Sequence, residues 1–315
     1  MNITFPLAGE IFSLCSAVFW ALAVIFFKQA GEKIHPIVIN LFKNGLGVLL
    51  FTITLLFLGE SIFTPEGVVL TNEDFFRLIV SGIIGIGIAD IIFLHSLNII
   101  GAGISALVDT VYSPFVIFFA YIFLGEHLSP LQFLGAGCII GAIIFASLKL
   151  QNIPTTRKRL EYGIILCILA IAMMAFGIVL VKPVLSKFQG DIPKLMWIAG
   201  FRLVPGSIVP LIIFLLLNKK QNLLKPLKDR KIWFPLIGGS VFATYLGIFF
   251  WIIGMSLTNA STASILNQTA TIFILIFARI FLKEPLTKRR VLAILIAVAG
   301  AYLVFIGEVL FFYPM

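Results

Sequence analysis

The sequence predicts an all-α integral membrane protein: ten transmembrane helices arranged as two inverted five-helix repeats. Three observations predict it. Composition is extreme, with 60% hydrophobic and 12% charged residues among 315 and a mean hydropathy of +1.12. Ten apolar runs of spanning length follow one another. A phrase from the first half of the chain recurs in the second.

A soluble domain is roughly 45–50% apolar and about 25% charged. A water-soluble globule has no way to bury the excess found here, and a disordered chain would not carry it. The bilayer is the solvent that fits. The formal net charge of +9 would suggest a nucleic-acid partner in a soluble protein. Here the cations sit in short loops, where they meet anionic lipid headgroups, so no nucleic acid is expected.

About 20 apolar residues cross the hydrocarbon core as a helix. Marking the breaks predicts spans at 7–27, 37–58, 75–97, 102–124, 131–149, 161–181, 195–217, 232–255, 260–282 and 289–307. The first has no basic leader and no small-residue cleavage site before it, so it is expected to be retained as a helix. The longest connections are Gly59–Asp74, Lys149–Leu160 and Asn218–Lys231, each polar and broken by Pro65, Pro154 or Pro226. None has room for a soluble domain. Cys15, Cys138 and Cys167 each lie inside an apolar run and match no metal spacing, so they read as packing residues.

Phe119–Leu128 reads FAYIFLGEHL and Phe277–Leu286 reads FARIFLKEPL, 158 residues later. The same offset pairs Asp109 with Asn267, and nearly the same offset pairs Lys43 with Arg202. The chain therefore divides into residues 1–150 and 151–315, five spans each. An odd number of spans per repeat inserts the second repeat upside down, an architecture that serves alternating access in transporters.

With these residues in view the chain resembles the ten-helix EamA-type carriers of the drug/metabolite transporter superfamily. The resemblance rests on FLGEHL with Gln132 and Gly135 after it, on the FLKEPL echo, on the Trp20–Lys28 stretch, and on the basic residue in the second and seventh spans. It departs at Lys283, where the echo has FLKE for FLGE. The resemblance implies a carrier of small metabolites, such as amino acids and their relatives, drugs or nucleotide sugars, often working as an exporter in the cell's inner membrane. The loops after odd-numbered spans hold most of the cations, against Arg77, Lys182, Lys187 and Lys194 on the other side. That bias places both termini outside, whereas relatives are usually drawn with both termini in the cytoplasm.

An ionisable group within a span costs about 2.5–3.5 kcal/mol on insertion scales and marks a cavity or a partner. Asp90 lies in the third span. It reads as a proton-coupling carboxylate, a ligand for a substrate amine, or a structural acceptor. Ser105, Asp109 and Tyr112 follow i, i+4, i+7 spacing and predict one polar stripe on the fourth span, with Pro114 set to kink it. Ser264, Asn267, Gln268 and Thr271 form the repeat-related neutral stripe on the ninth. Lys43 and Arg202 are the paired cations; they bind a substrate carboxylate, neutralise Asp90 and Asp109, or snorkel to headgroups. Trp20, Tyr112, Tyr245 and Trp251 are candidate cavity aromatics. Glu126 and Glu284 read as caps or partners of loop cations. The glycines of the third span, with Gly137 and Gly141, read as sites of close helix approach.

There is no nucleotide-binding loop, metal-ligand cluster or nucleophile elbow. No cofactor, metal or obligatory protein partner is expected. The leading reading is a secondary carrier for a small polar or zwitterionic solute, with protons as the coupling ion. The rivals are an intramembrane lipid-modifying enzyme, for which Asp90 and His95 are the candidate pair, and a channel or structural membrane protein.

Overall fold

A computed structural model describes residues 6–65, 67–147, 156–218, 220–281 and 288–312. Regular structure among them is entirely helical. Seven helices are long and apolar enough to cross a membrane: α1 (Ala8–Gly31), α2 (Pro36–Phe57), α3 (Asn72–Gly101), and then, after two shorter helices, Arg157–Lys187, Ile192–Leu216, Arg230–Leu257 and Ala260–Phe281. The shorter pair are α4 (Tyr112–Leu124) and α5 (Pro130–Ser147). The four long helices that follow are α6 to α9, and α10 (Lys288–Phe312) closes the series with a shorter apolar stretch.

The helix starts are written in local chemistry. Thr71 and Asp74 form a reciprocal capping box at the head of α3. His35 caps α2 and Asp191 caps α7, each followed within two residues by a proline in the first turn, where no backbone donor is needed. Gly101 ends α3 with φ of 77° and ψ of 167°, a conformation open to glycine and strained for any residue with a Cβ.

The span expected at 102–124 is interrupted. A helical stretch over 102–109 stops at a turn at Thr110 and Val111, and α4 begins at Tyr112. Pro114 therefore does not kink a continuous helix. It sits in the first turn of a new one, where its missing N–H is not required.

Two helices carry a wide π-helical segment in mid-course: α3 over Ile83–Ile88 and α8 over Val241–Gly247. Each is closed by an i to i−5 bond, from Ala89 N–H to Ile84 O in α3 and from Ile248 N–H to Ala243 O in α8. Such segments mark sites where an extra residue has been fitted into the helix, often beside a functional centre.

Packing crosses between the two halves of the chain. Helix α1 lies against α8 and α9, as α6 lies against α3 and α4. Helix α2 meets α7 and the π-segment of α8, while α7 meets the π-segment of α3. Glycines set these distances. A Cβ on Gly47 of α2 would run into Thr244 and Leu203, and one on Gly206 of α7 would run into Ile86 and the carbonyl of Gly82. Helices α5 and α10 pack on each other through Gly135 and Gly300. The expectation for Gly137 and Gly141 is corrected here: a Cβ on either meets nothing, because they face away from α10. Outward surfaces carry Phe118, Ile122, Leu134 and Leu216, the belt that lipid requires of a multi-pass protein.

Candidate functional site

A cavity of about 150 Å³ lies where the two halves meet. Among the described residues its lining comes from α1 to α4, with Asp109 at the end of the helical stretch before α4, and from α6 to α9, and none comes from α5 or α10. Both π-segments face it, through Gly85 and Ile86 in α3 and through Ala243, Thr244 and Gly247 in α8.

Eight of the residues singled out from the sequence line this cavity: Trp20, Lys43, Asp90, Asp109, Tyr112, Arg202, Trp251 and Asn267. Lys43 Nζ pairs with Asp90 Oδ2 at 2.5 Å, with side chains 7% and 15% exposed. Neither Lys43 nor Arg202 snorkels, since both are buried. Lys43 Nζ also donates to Asn44 Oδ1 at 2.9 Å. Arg202 donates from Nε to Ser81 Oγ at 2.9 Å, and Ser81 Oγ in turn donates a hydrogen bond to Gly177 O at 2.6 Å. Gly82 makes this possible: a Cβ there would clash with the Arg202 carbonyl and Pro205, so its absence lets α7 lie directly on α3.

Among the described residues Arg202 and Asp109 form no ion pair, although both line the same cavity. Asp90 is paired with Lys43 and lies within electrostatic reach of Arg202 as well. What remains is one cation on α7 and one carboxylate beside α4. Around them stand Trp20, packed on Phe93 at 5.8 Å, and Tyr112, 6.2 Å from Trp251. Thr244 Oγ1 and Asn267 Oδ1 are buried without a hydrogen-bond partner among the described residues.

Ser105 and Gln268 lie off the cavity. Ser105 is buried with its hydroxyl 3.8 Å from Cys167 Sγ on α6. The turn at Thr110 and Val111 shifts the helical phase, so Ser105 does not share a stripe with Tyr112. Gln268 donates Nε2 to the backbone carbonyl of Asp109 at 3.1 Å, and Ser113 Oγ donates to Ser264 O at 2.8 Å. These residues join α4 to α9. Tyr245 turns away from the cavity to bond Thr54 Oγ1 at 2.6 Å.

Glu126 is a cap. Its carboxylate accepts from Ala260 N, Ser261 N and Ser261 Oγ at 2.8 to 2.9 Å, closing the N-terminus of α9. Glu284 lies outside the described residues. Asp90 and His95 do not come together: Asp90 faces Lys43, and His95 is absent from the lining. At the helix ends, burial and the nearby His95 push the His35 imidazole down. Asp229 is held below the usual carboxylate range by the backbone N–H of Lys231 and by Lys33, which it pairs at 3.0 Å.

Sequence reading missed Ser16 and Thr244 in the lining. Ser16 was within reach, being one turn before Trp20 on the same face. Thr244 gave no signal, because it sits in a π-segment that shifts the phase of α8.

The model of the EamA-like transporter family matches residues 7–148 and again 161–306. An uncharacterized transporter of Methanothermobacter thermautotrophicus is 25% identical over 311 residues, covering 94% of this chain and 86% of the relative. One of Archaeoglobus fulgidus is 23% identical over 290 residues, covering 92% and 95%. A crystal structure only 13% identical superposes with a TM-score of 0.73 over 94% of this chain and 95% of its own, which is a likeness of fold.

Proposed function

The chain belongs to the EamA-like transporter family, and we propose that it is a secondary carrier for a small zwitterionic metabolite, amino acid-like, in the cell's inner membrane. The observation that carries this reading is the unpaired couple of Arg202 and Asp109 across one cavity. A guanidinium presents a planar fork of donors that suits a carboxylate. A carboxylate opposite suits an ammonium. A solute holding both groups neutralises both ends of the cavity, whereas a simple cation or anion leaves one buried charge uncompensated, which is costly.

Size points the same way. A protein cavity of about 150 Å³ takes a guest the size of benzene, about six heavy atoms. Thr244 Oγ1 and Asn267 Oδ1 offer further polar contacts, and Trp20, Tyr112 and Trp251 supply apolar walls.

We read the ten helices as ten crossings in two inverted repeats. Supporting this are the two family matches, the π-segments 158 residues apart, and the reciprocal interlocks of Gly47 with Thr244 and of Gly206 with Ile86. Alternating access then follows by exchange of conformation between the halves. Asp90 and Asp109 are the proposed proton carriers.

The test is pH-gradient-driven flux into proteoliposomes offered a metabolite pool weighted to amino acids, read by mass spectrometry. Saturable enrichment of a few zwitterions, lost when the gradient collapses, is the expected result. Asp90→Asn or Asp109→Asn abolishes it while the protein stays folded. Unaltered flux in both variants removes the coupling role. Flux that never saturates turns the reading to a channel.

A further inference from the structure

A π-segment leaves carbonyls outside the regular ladder, and in buried helices another group must take them. Two carbonyls of the α3 π-segment, Ile86 O and Gly87 O, are bonded from a neighbouring helix. The side-chain amide of Asn40 on α2 donates to both, at 3.5 and 3.2 Å. Asn40 Oδ1 accepts from Asn44 Nδ2 at 3.0 Å, Asn44 Oδ1 accepts from Lys43 Nζ at 2.9 Å, and Lys43 Nζ pairs with Asp90. Asp90 follows directly on Ala89, whose N–H closes the π-segment. The chain of bonds is therefore a ring that leaves α3 within its π-segment and returns to the helix at Asp90, two residues past its end.

The direction of this ring is fixed at both ends. Backbone carbonyls only accept, so Asn40 must present its NH₂ to α3 and its oxygen to Asn44. An ammonium only donates, so Asn44 must present its oxygen to Lys43. Both asparagines are fully buried, so neither has water to turn to when a partner leaves. If Lys43 withdraws, Asn44 loses the donor that holds its orientation, and the amide of Asn40 loses its support in turn.

We propose that Asn40 and Asn44 are positioning residues that couple the Lys43–Asp90 ion pair to the π-segment of α3, so that opening the pair loosens that segment and leaves its counterpart in α8 alone. In α8 the carbonyl of Gly247 is taken by Ser16 Oγ at 3.1 Å. Ile248 stands where α3 has Asp90. No ion pair acts there among the described residues. The charged and titratable groups that share the cavity with Asp90 are Lys43 from α2, Arg202 from α7, Asp109 at the end of the stretch 102–109, and Tyr112 at the start of α4; α1 and α6 offer Trp20, Met174 and Ile178.

The test is amide hydrogen exchange of the full chain in lipid nanodiscs at one fixed pH, with no solute present, so its outcome is separate from that of the carrier reading. Asn40→Ala, Lys43→Met and Asp90→Asn are each expected to speed exchange over residues 83–90 about fivefold, the change that loss of one hydrogen bond brings. Residues 241–248 serve as the internal control and keep the wild-type rate. Asn44→Leu leaves the ion pair standing and tests the link directly, with the same fivefold change expected over 83–90. Acceleration in Asn40→Ala alone reduces Asn40 to a local latch and overturns the coupling. Equal acceleration of both π-segments means general loosening and overturns it too.

Discussion

Helices α3 and α8 carry the same backbone irregularity 158 residues apart, and both turn it toward the cavity. They part company just beyond it, at two positions again 158 residues apart. Helix α3 follows its π-segment with Asp90, which holds Lys43; α8 follows with Ile248. The same division runs through the site. Asp109 answers to Asn267, and Lys43, locked to a carboxylate, answers to Arg202, bonded only to the hydroxyl of Ser81 among the described residues. Backbone geometry is duplicated, while charge is not. The lesson is that the first half stores an ion pair and the second half keeps its cation available.

The largest effect that tests this division is on stability. Removing one member of a buried pair costs about 3–5 kcal/mol, because the other charge is left uncompensated. Lys43→Met is expected to lose that much in an unfolding titration, and Lys43→Met with Asp90→Asn to recover most of it. If the double variant is as unstable as the single, the pair is not the self-contained unit described.

Arg202 is expected to behave in the opposite way. Arg202→Gln leaves no stranded carboxylate among the described residues, and Ser81 keeps its bond to Gly177 O. Stability should change little. Solute affinity should fall at least about 30-fold, from the roughly 2 kcal/mol lost when a buried charge partner is truncated. An ester analogue of the solute should bind wild type and variant alike. A variant that binds normally but melts early would make Arg202 structural and Lys43 no different in kind.

The glycine interlocks test how far the duplication goes. Overpacking a closed contact costs about 1–3 kcal/mol. Gly47→Ala meets the side-chain ends of Thr244 and Leu203, which can shift. Gly206→Ala meets the Cβ of Ile86 and the carbonyl of Gly82, which cannot shift without moving α3. Both variants should melt earlier, Gly206→Ala more so. A loss in one alone would show that the two contacts are not equivalents.

Much of this site was legible in the sequence because charge in an apolar span has few explanations. Lys43, Asp90, Asp109 and Arg202 declared themselves by cost alone, and the 158-residue offset matched three of them to counterparts. What failed to show depends on helical phase. The turn at Thr110 and Val111 detaches Ser105 from Tyr112, and the π-segments rotate everything after them. Neither leaves a residue signature, since IIGIGI and VFATYLG share only a glycine-containing apolar character. Gly137 and Gly141 misled for a related reason. A small residue permits close approach but does not say which face a neighbour occupies, and here Gly135 faces α10.

The smallest expected effect lies at the helix ends, where the first half caps a helix of the second. Glu126 stands at the end of α4 in the first half and closes the N-terminus of α9 in the second, satisfying two backbone donors that the helix cannot satisfy itself. Loss of an N-terminal cap typically costs about 1 kcal/mol. Glu126→Ala should lower the unfolding free energy by that amount, and Glu126→Gln by less, since an amide keeps one acceptor oxygen. The repeat supplies the sharper form of this test. Glu284 occupies the matching place in FLKEPL, so a true two-fold relation makes it the cap for the helix that starts the fourth span. Glu284→Ala should then cost the same as Glu126→Ala. A wild-type melt for Glu284→Ala alongside a destabilised Glu126→Ala would confine the capping exchange to one direction, and would show that the two halves are related in backbone course but not in how their helix ends are held.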